Sequence, residues 1–371
     1  MSRRCSCIPP IKLEDDLKGS NSSFELNTDS SDNSPPYSPI QAKEPRTRSS
    51  IINNNKRFFR GILPAKSYEF DLDSQNVEVL QSKYNGDVVI SCIKKKESFS
   101  LECKVKGYHI KIVDYISNCL NELYVYPIEQ LMNLEAVEAI KGVSDYNVDI
   151  LYAVINFIDM LIENDIPFGL KNIIVVSGIP IANAYWNGLY LSIGWGCYSP
   201  RKDKNVTPLC SPDIIAHELG HAVIEETCNL EYFRDSGALN ESIADIFGIA
   251  LEYYLAKKKQ KHRGLCIEDT NVEWGIGNEI IWGGMRSFSS PWEHQQPKLM
   301  YDRYWYVGNN DYGGVHTNSG VLNYYFFRLV NIRPFWEALH IIYDALKRSY
   351  TRITIKEFHR LLPQNLYIDI I

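Results

Sequence analysis

His217-Glu218-Leu219-Gly220-His221 and, further on, Gly237-Ala238-Leu239-Asn240-Glu241-Ser242-Ile243-Ala244-Asp245 are the stretches that decide how this chain reads. Two histidines at i and i+4 share one face of a helix, about one turn apart, so both rings can reach one metal ion. Glu218 stands between them, within reach of a water on that metal. The run ahead of them, Asp213-Ile214-Ile215-Ala216, is apolar and helical, so both imidazoles point inward, where they need a partner. The competing reading is a helix that carries two histidines by accident. A catalytic site needs a third protein ligand and an open fourth position. Glu241, at the start of the next helical stretch, supplies that ligand. Asp245 lies four residues on, on the same face, placed to accept the free ring N–H of a ligating histidine. A solvated face would account for Glu241 and Asp245 less well, because Leu239, Ile243, Ile246 and Phe247 mark an interior helix.

The joint pattern, with nineteen residues between His221 and Glu241, resembles the thermolysin family of zinc endopeptidases. The related aminopeptidases have a shorter gap and a Gly-Ala-Met-Glu-Asn motif that is absent here. Three further blocks are similar to that family in its order. Asn183-Ala184-Tyr185-Trp186-Asn187-Gly188 resembles the edge strand that holds substrate backbone. Met285-Arg286-Ser287 resembles the segment with the substrate-binding arginine. Asp311-Tyr312-Gly313-Gly314-Val315-His316-Thr317-Asn318-Ser319-Gly320 resembles the catalytic histidine loop. The resemblance covers roughly residues 140 to 371.

What it implies is specific. His217, His221 and Glu241 would hold one zinc per chain, with Asp245 and Asn240 behind them. Glu218 would be the general base for the attacking water and then deliver its proton to the leaving amine. His316, oriented by Asp311, and Tyr232 would donate hydrogen bonds to the oxyanion. Arg286, Asn183 and Ala184 would bind the peptide backbone. Read alone, Tyr232 is equally a packed aromatic in a Tyr-rich chain; its register, eleven residues after His221, gives it the role. Ile214, Ile276, Ile280 and Met285 fall where the family lines the pocket for the residue after the scissile bond, and an apolar pocket favours Leu, Ile, Phe or Val.

There are departures from the family. Tyr312 stands where Asn is usual. Asp213, Glu252 and Glu273 match calcium ligands, but Gly275 and Asn278 fall where acids are usual. Calcium takes six to eight oxygens, so a single calcium site is the most these residues allow.

Around this core, the 371 residues suffice for two domains. Hydrophobic residues make up 45% and charged residues 23%, as in globular proteins, and a net charge of −6 leaves no footprint for nucleic acid. No apolar run reaches the roughly eighteen residues of a membrane span. Met1 to Cys7 lead into Pro-Pro and charge rather than into a signal-peptide core. Nine scattered cysteines, an odd number without Cys-x-x-Cys, read mostly as reduced thiols rather than a disulfide framework.

Residues 18 to 50, crowded with Ser, Asn, Asp and Pro, read as a flexible linker. Ahead of it, Cys5-Ser6-Cys7-Ile8-Pro9-Pro10-Ile11 resembles the short propeptide of the protealysin branch of the family. A thiolate is a strong zinc ligand, so Cys7, or failing it Cys5, is a candidate inhibitory thiol. Steric blockage without a thiol on the metal is the alternative. Alternation over 56 to 130 predicts short strands with a turn at Asn85-Gly86, and further strands follow at Ile173 to Val176 and Asn183 to Leu191. Helical periodicity falls at 147–164, 213–227, 238–258, 319–331 and 333–347.

The expected fold is α+β: a propeptide and linker over 1–50, a β-rich N-terminal α/β domain over 51–211 and a helical catalytic domain over 212–371, with the active-site cleft between. The expected function is a zinc-dependent neutral endopeptidase, made as a zymogen, acting before hydrophobic residues. Protein or peptide substrates and its own propeptide are the expected partners, and a monomer is the expected state. Export without a conventional signal peptide, or a cytoplasmic location, follows from the N-terminus. The alternative is a catalytically silent zinc-binding interaction protein on the same fold.

Overall fold

Short alternating stretches separated by turn residues build the first half of the molecule. The structure is a computed structural model, and it describes residues 76–94, 100–114, 143–179, 181–194, 196, 208–262, 273–281 and 283–370. Cys5, Cys7, the expected propeptide and the linker lie outside the described residues. Strands β1 (Asn76–Ser82) and β2 (Gly86–Lys94) form a hairpin closing at Ser82↔Gly86. Its turn is held by the Asn85 N–H donating to Ser82 Oγ (2.9 Å). Strands β3 (Ser100–Val105) and β4 (Tyr108–Asp114) continue antiparallel.

Helix α1 (Val143–Glu163) then precedes β5 (Asn172–Ile179), which joins β4 in parallel. The last two strands are β6 (Ala184–Trp186) and β7 (Leu191–Gly194), in the order β1-β2-β3-β4-β5-β7-β6. The single strand expected over Asn183 to Leu191 is therefore two. Asn187 Oδ1 accepts the N–H groups of Leu189 and Tyr190 (2.9 Å each), turning the chain back so that β6 and β7 pair antiparallel. Leu151, Val154, Phe157 and Ile158 of α1 and Ile110, Ile112, Ile173 and Val175 of the sheet are fully buried in one core.

The second half is helical: α2 (Pro212–Thr227), α3 (Arg234–His262), α4 (Asp311–Asn318), α5 (Gly320–Val330), α6 (Phe335–Lys347) and α7 (Ile355–Leu361). A two-stranded ribbon, β8 (Gly275–Ile276) with β9 (Arg286–Ser287), stands between α3 and α4 in the chain. Helix α2 starts with Pro at its first position and Asp213 in its first turn, both favoured there. Every residue from Pro212 to Ile224 is buried, so α2 is an interior helix covered on all sides. It packs on α3 at close range. A Cβ on Gly220 would lie 3.0 Å from Ala244 Cα, which is why glycine stands there.

Helix α3 begins four residues earlier and ends four later than periodicity suggested, and α4 and α7 were not anticipated. The start of α7 was legible: Thr354 and Glu357 form a reciprocal capping box. Contacts of α1 with α2 and α3 cross the expected boundary at 211/212, and all described residues fall in one compact unit. No helix among the described residues is long and apolar enough to cross a membrane.

Candidate metal centre

Helix α2 presents His217 and His221 one turn apart, and neither is more than 2% exposed. Each ring is oriented from behind. His217 Nδ1 lies 2.7 Å from Asp245 Oδ1, and His221 Nδ1 lies 2.7 Å from Asn240 Oδ1. The Asn240 amide is fixed in turn, because its Nδ2 donates to the Leu230 carbonyl (3.2 Å). With acceptors behind both rings, the ring protons sit on Nδ1 and the lone pairs on Nε2. Those two Nε2 atoms face each other at 3.0 Å, and each lies 3.5 Å from an oxygen of Glu241.

Burial lowers the pKa of His217, and burial together with the neighbouring His217 pushes His221 down to about 4, so both rings are neutral near pH 7. Two lone pairs and a carboxylate converging in a dry interior repel one another unless a cation lies between them. The donor set fits a metal ion. Among the described residues, His217, His221 and Glu241 are the one group of three with ligand atoms all within 4.8 Å.

Asp245 touches more than the histidine. Arg286, brought in by β9, donates from Nε to Oδ2 (2.7 Å) and from Nη2 to Oδ1 (2.6 Å), and Asn323 Nδ2 donates to Oδ2 (2.9 Å). Burial would raise the Asp245 pKa, but the charge of Arg286 and then His217 hold it well below the usual carboxylate range. Arg286, expected at the substrate backbone, thus commits two of its five N–H groups to Asp245. Nothing in the sequence announced that pairing or the part of Asn323.

Glu218 is fully buried. Its Oε2 accepts the Trp186 N–H (2.7 Å) from the edge strand β6, and its Oε1 has no hydrogen-bond partner among the described residues. Burial, then the charge of Glu241, raises its pKa well above the usual carboxylate value. The stretch expected to hold substrate backbone therefore runs beside the expected base. Ala184 is buried on β6, and the Asn183 carbonyl accepts the Gly194 N–H (3.0 Å).

On the other flank, Tyr232 Oη donates to Glu241 Oε1 and lies 3.3 Å from His316 Nε2. His316 Nδ1 donates to Asp311 Oδ1 (2.6 Å) while its backbone N–H donates to Oδ2 (2.9 Å), so one carboxylate clamps the ring at two points. Burial works against the charged imidazole, but Glu241 and then Asp311 raise its pKa overall. The expected loop is a left-handed turn: φ is +52° at Asp311 and Tyr312, +88° at Gly313 and +79° at Gly314. A Cβ on Gly313 would lie 2.5 Å from Arg234 Cγ, and one on Gly314 2.5 Å from Tyr306 Cδ1. For the two non-glycine residues the conformation costs roughly 1–2 kcal/mol each.

The carboxylates raised for calcium come near one another, with Asp213 acting on the charge of Glu252, but among the described residues they form no three-ligand group. Asp213 accepts from Ser211 Oγ (2.5 Å), from its neighbour's Ile214 N–H (2.9 Å) and from the Gly277 N–H (2.6 Å). Glu273 is exposed, and Asp213, Glu252 and Glu273 do not bring three ligand atoms within 4.8 Å. Glu279, not singled out in the sequence, adds its charge to Asp213 and Glu252. Burial, then Asp213 and Glu279, raise Glu252 to about 8.

Comparison with known proteins places these elements in context. The family of the thermolysin metallopeptidase catalytic domain matches residues 80–225, and that of the thermolysin metallopeptidase alpha-helical domain matches residues 228–361. Bacillolysin from Bacillus cereus is 39% identical over 155 residues, 40% of this chain and 24% of that protein. Protease PrtS from Photorhabdus sp. (strain Az29) is 37% identical over 227 residues, 53% of this chain and 57% of that protein. This chain thus spans about a quarter of the first of these relatives and somewhat over half of the second. The precursor of protealysin from Serratia proteamaculans shares the fold, with a TM-score of 0.50 at 24% identity over 72% of this chain and 82% of that one.

Proposed function

The chain belongs to the thermolysin family of metallopeptidases, and on that premise we propose that it is a zinc-dependent neutral endopeptidase, made as a zymogen, that cuts before hydrophobic residues. The observation that carries the proposal is the convergence of His217 Nε2, His221 Nε2 and Glu241 on one point. Two imidazoles and one carboxylate are a donor set of catalytic zinc sites that leave a fourth position open. When bound, zinc supplies a Lewis acid for the scissile carbonyl and lowers the pKa of water toward 7.

The chain's own residues do the rest. Glu218 Oε1 takes the proton from the attacking water and passes it to the leaving amine, and its raised pKa suits a base that must also act as an acid. Tyr232 Oη and His316 Nε2 donate to the oxyanion, and Asp311 keeps the His316 ring turned for that task. Substrate backbone lies along the edge formed by Asn183 and Ala184, in the manner of an added strand, with Arg286 at its carbonyl. Ile214, Ile276, Ile280 and Met285, all fully or partly buried, offer the residue after the cut an apolar site that disfavours Asp or Glu. The N-terminal segment with Cys7, or Cys5 in its place, keeps the full-length chain latent. A monomeric enzyme, exported or retained in the cytoplasm, completes the proposal.

The test is hydrolysis of a fluorogenic peptide with Leu after the scissile bond. Activity should vanish on zinc chelation and return with added zinc, at about one zinc per chain. Hydrolysis that survives complete metal removal would overturn the proposal.

A further inference from the structure

Tyr312 pays for its position twice. Its backbone is left-handed at φ 52°, ψ 31°, and its ring gains little burial in return, being 42% exposed. A bulky side chain held in this region is an outlier, and such outliers concentrate at sites where strain serves function. Asp311 shares the conformation because it clamps His316, and Gly313 and Gly314 share it because neighbouring side chains leave no room for a Cβ. Neither reason applies to Tyr312.

Its surroundings give a reason. The Tyr312 ring stands edge-on to Tyr232, with centroids 5.4 Å apart at 69°. Tyr232 in turn reaches Glu241 and His316, and its ring centroid is 6.2 Å from that of His221. Phe233, the residue after Tyr232, is also exposed, at 40%. Arg286 is joined to the opposite histidine, His217, through Asp245. Arg286 thus reaches the centre from behind His217, while Tyr232 stands beside His221 and His316. A peptide whose residue after the cut lies at the Arg286 flank carries its preceding residue toward Tyr232 and Tyr312.

We infer that Tyr312 is a specificity-determining residue whose exposed ring recognises an aromatic side chain immediately before the scissile bond. The inference rests on the peptidase reading for the direction of the peptide. An aromatic pair beyond simple burial is worth about a three- to tenfold preference.

Two fluorogenic peptides test it, identical with Leu after the cut and differing only in Phe or Ala before it. Wild type should favour the Phe peptide in kcat/KM by about three- to tenfold. Tyr312→Asn, which suits the left-handed backbone, should bring the ratio near one. Tyr312→Phe should keep it, and the preference for Leu over Asp after the cut should not move in either variant. An unchanged Phe-to-Ala ratio in Tyr312→Asn, or an equal fall for both peptides, would overturn the inference and leave the peptidase reading standing. Titrating the same peptides against zinc-loaded Glu218→Gln, with and without Tyr312→Asn, separates the two ideas. Binding that discriminates Phe through Tyr312, from a chain whose wild type cuts neither peptide, would sink the peptidase reading and keep the recognition.

Discussion

Arg286 and Asp245, 41 residues apart, form a two-point ion pair in the interior, Nε to Oδ2 at 2.7 Å and Nη2 to Oδ1 at 2.6 Å. Neither residue is more than 3% exposed. Removing the arginine leaves the buried Asp245 charge with only the neutral donors of His217 and Asn323, so Arg286→Met should destabilise the fold by about 3–5 kcal/mol. Denaturant unfolding reads this directly, and an unchanged midpoint would mean the pair contributes nothing. Asp245→Ala should in addition weaken zinc binding by roughly 10–100-fold, because His217 loses the acceptor behind its ring. Competition with a chelator of known affinity measures that loss.

Glu218→Gln should retain zinc and lose peptide hydrolysis. The amide oxygen can still accept the Trp186 N–H, so the local fold survives while the base is gone. Metal analysis beside the peptide assay checks both halves, and near-normal turnover would remove Glu218 from its role.

Tyr232→Phe tests the oxyanion assignment. The loss of one donor should lower kcat by about 10²–10³-fold, while KM moves little. A rise in KM at constant kcat would instead make Tyr232 a ground-state contact.

Stability should depend on pH through Glu252. Burial, then the charges of Asp213 and Glu279, raise its pKa to about 8 in the folded chain, against about 4.3 when unfolded. A raised carboxyl pKa favours the protonated folded form. Its contribution is therefore fully present below about pH 4.3 and is lost as pH climbs through about 8. Melting temperatures of zinc-loaded protein between pH 5 and 9, with a calcium-selective chelator present, should fall toward alkaline pH. Glu252→Gln should flatten that slope, and an identical slope in the variant would assign it to other groups.

Gly314→Ala should be costly, because the new Cβ would meet the Tyr306 ring at 2.5 Å on a backbone already at φ 79°. A loss of about 1–3 kcal/mol is expected, together with reduced activity as His316 is displaced. An unperturbed melting temperature would show that the turn adapts.

The sequence by itself determined which side chains form the candidate metal centre. Helical geometry puts His217 and His221 on one face without any tertiary help, and an apolar run around Glu241 marks an interior helix. It also gave most helices and the hairpin at Asn85-Gly86, since local periodicity and turn chemistry act over a few residues. It misread 183–191 because the Asn187 turn interrupts an otherwise continuous aromatic run, and it overlooked the capping box of α7. Which acceptor stands behind which histidine was decided only by the fold: Asp245 serves His217, while Asn240 serves His221. The same holds for the Arg286–Asp245 pair, for the Trp186 amide on Glu218 and for the ring of Tyr312 beside Tyr232. These contacts join residues far apart in the chain, and their geometry depends on how closely α2 packs on α3 and on the left-handed turn at 311–314. Neither leaves a periodic signal, because each is set by the space between elements rather than by the order of residues within one.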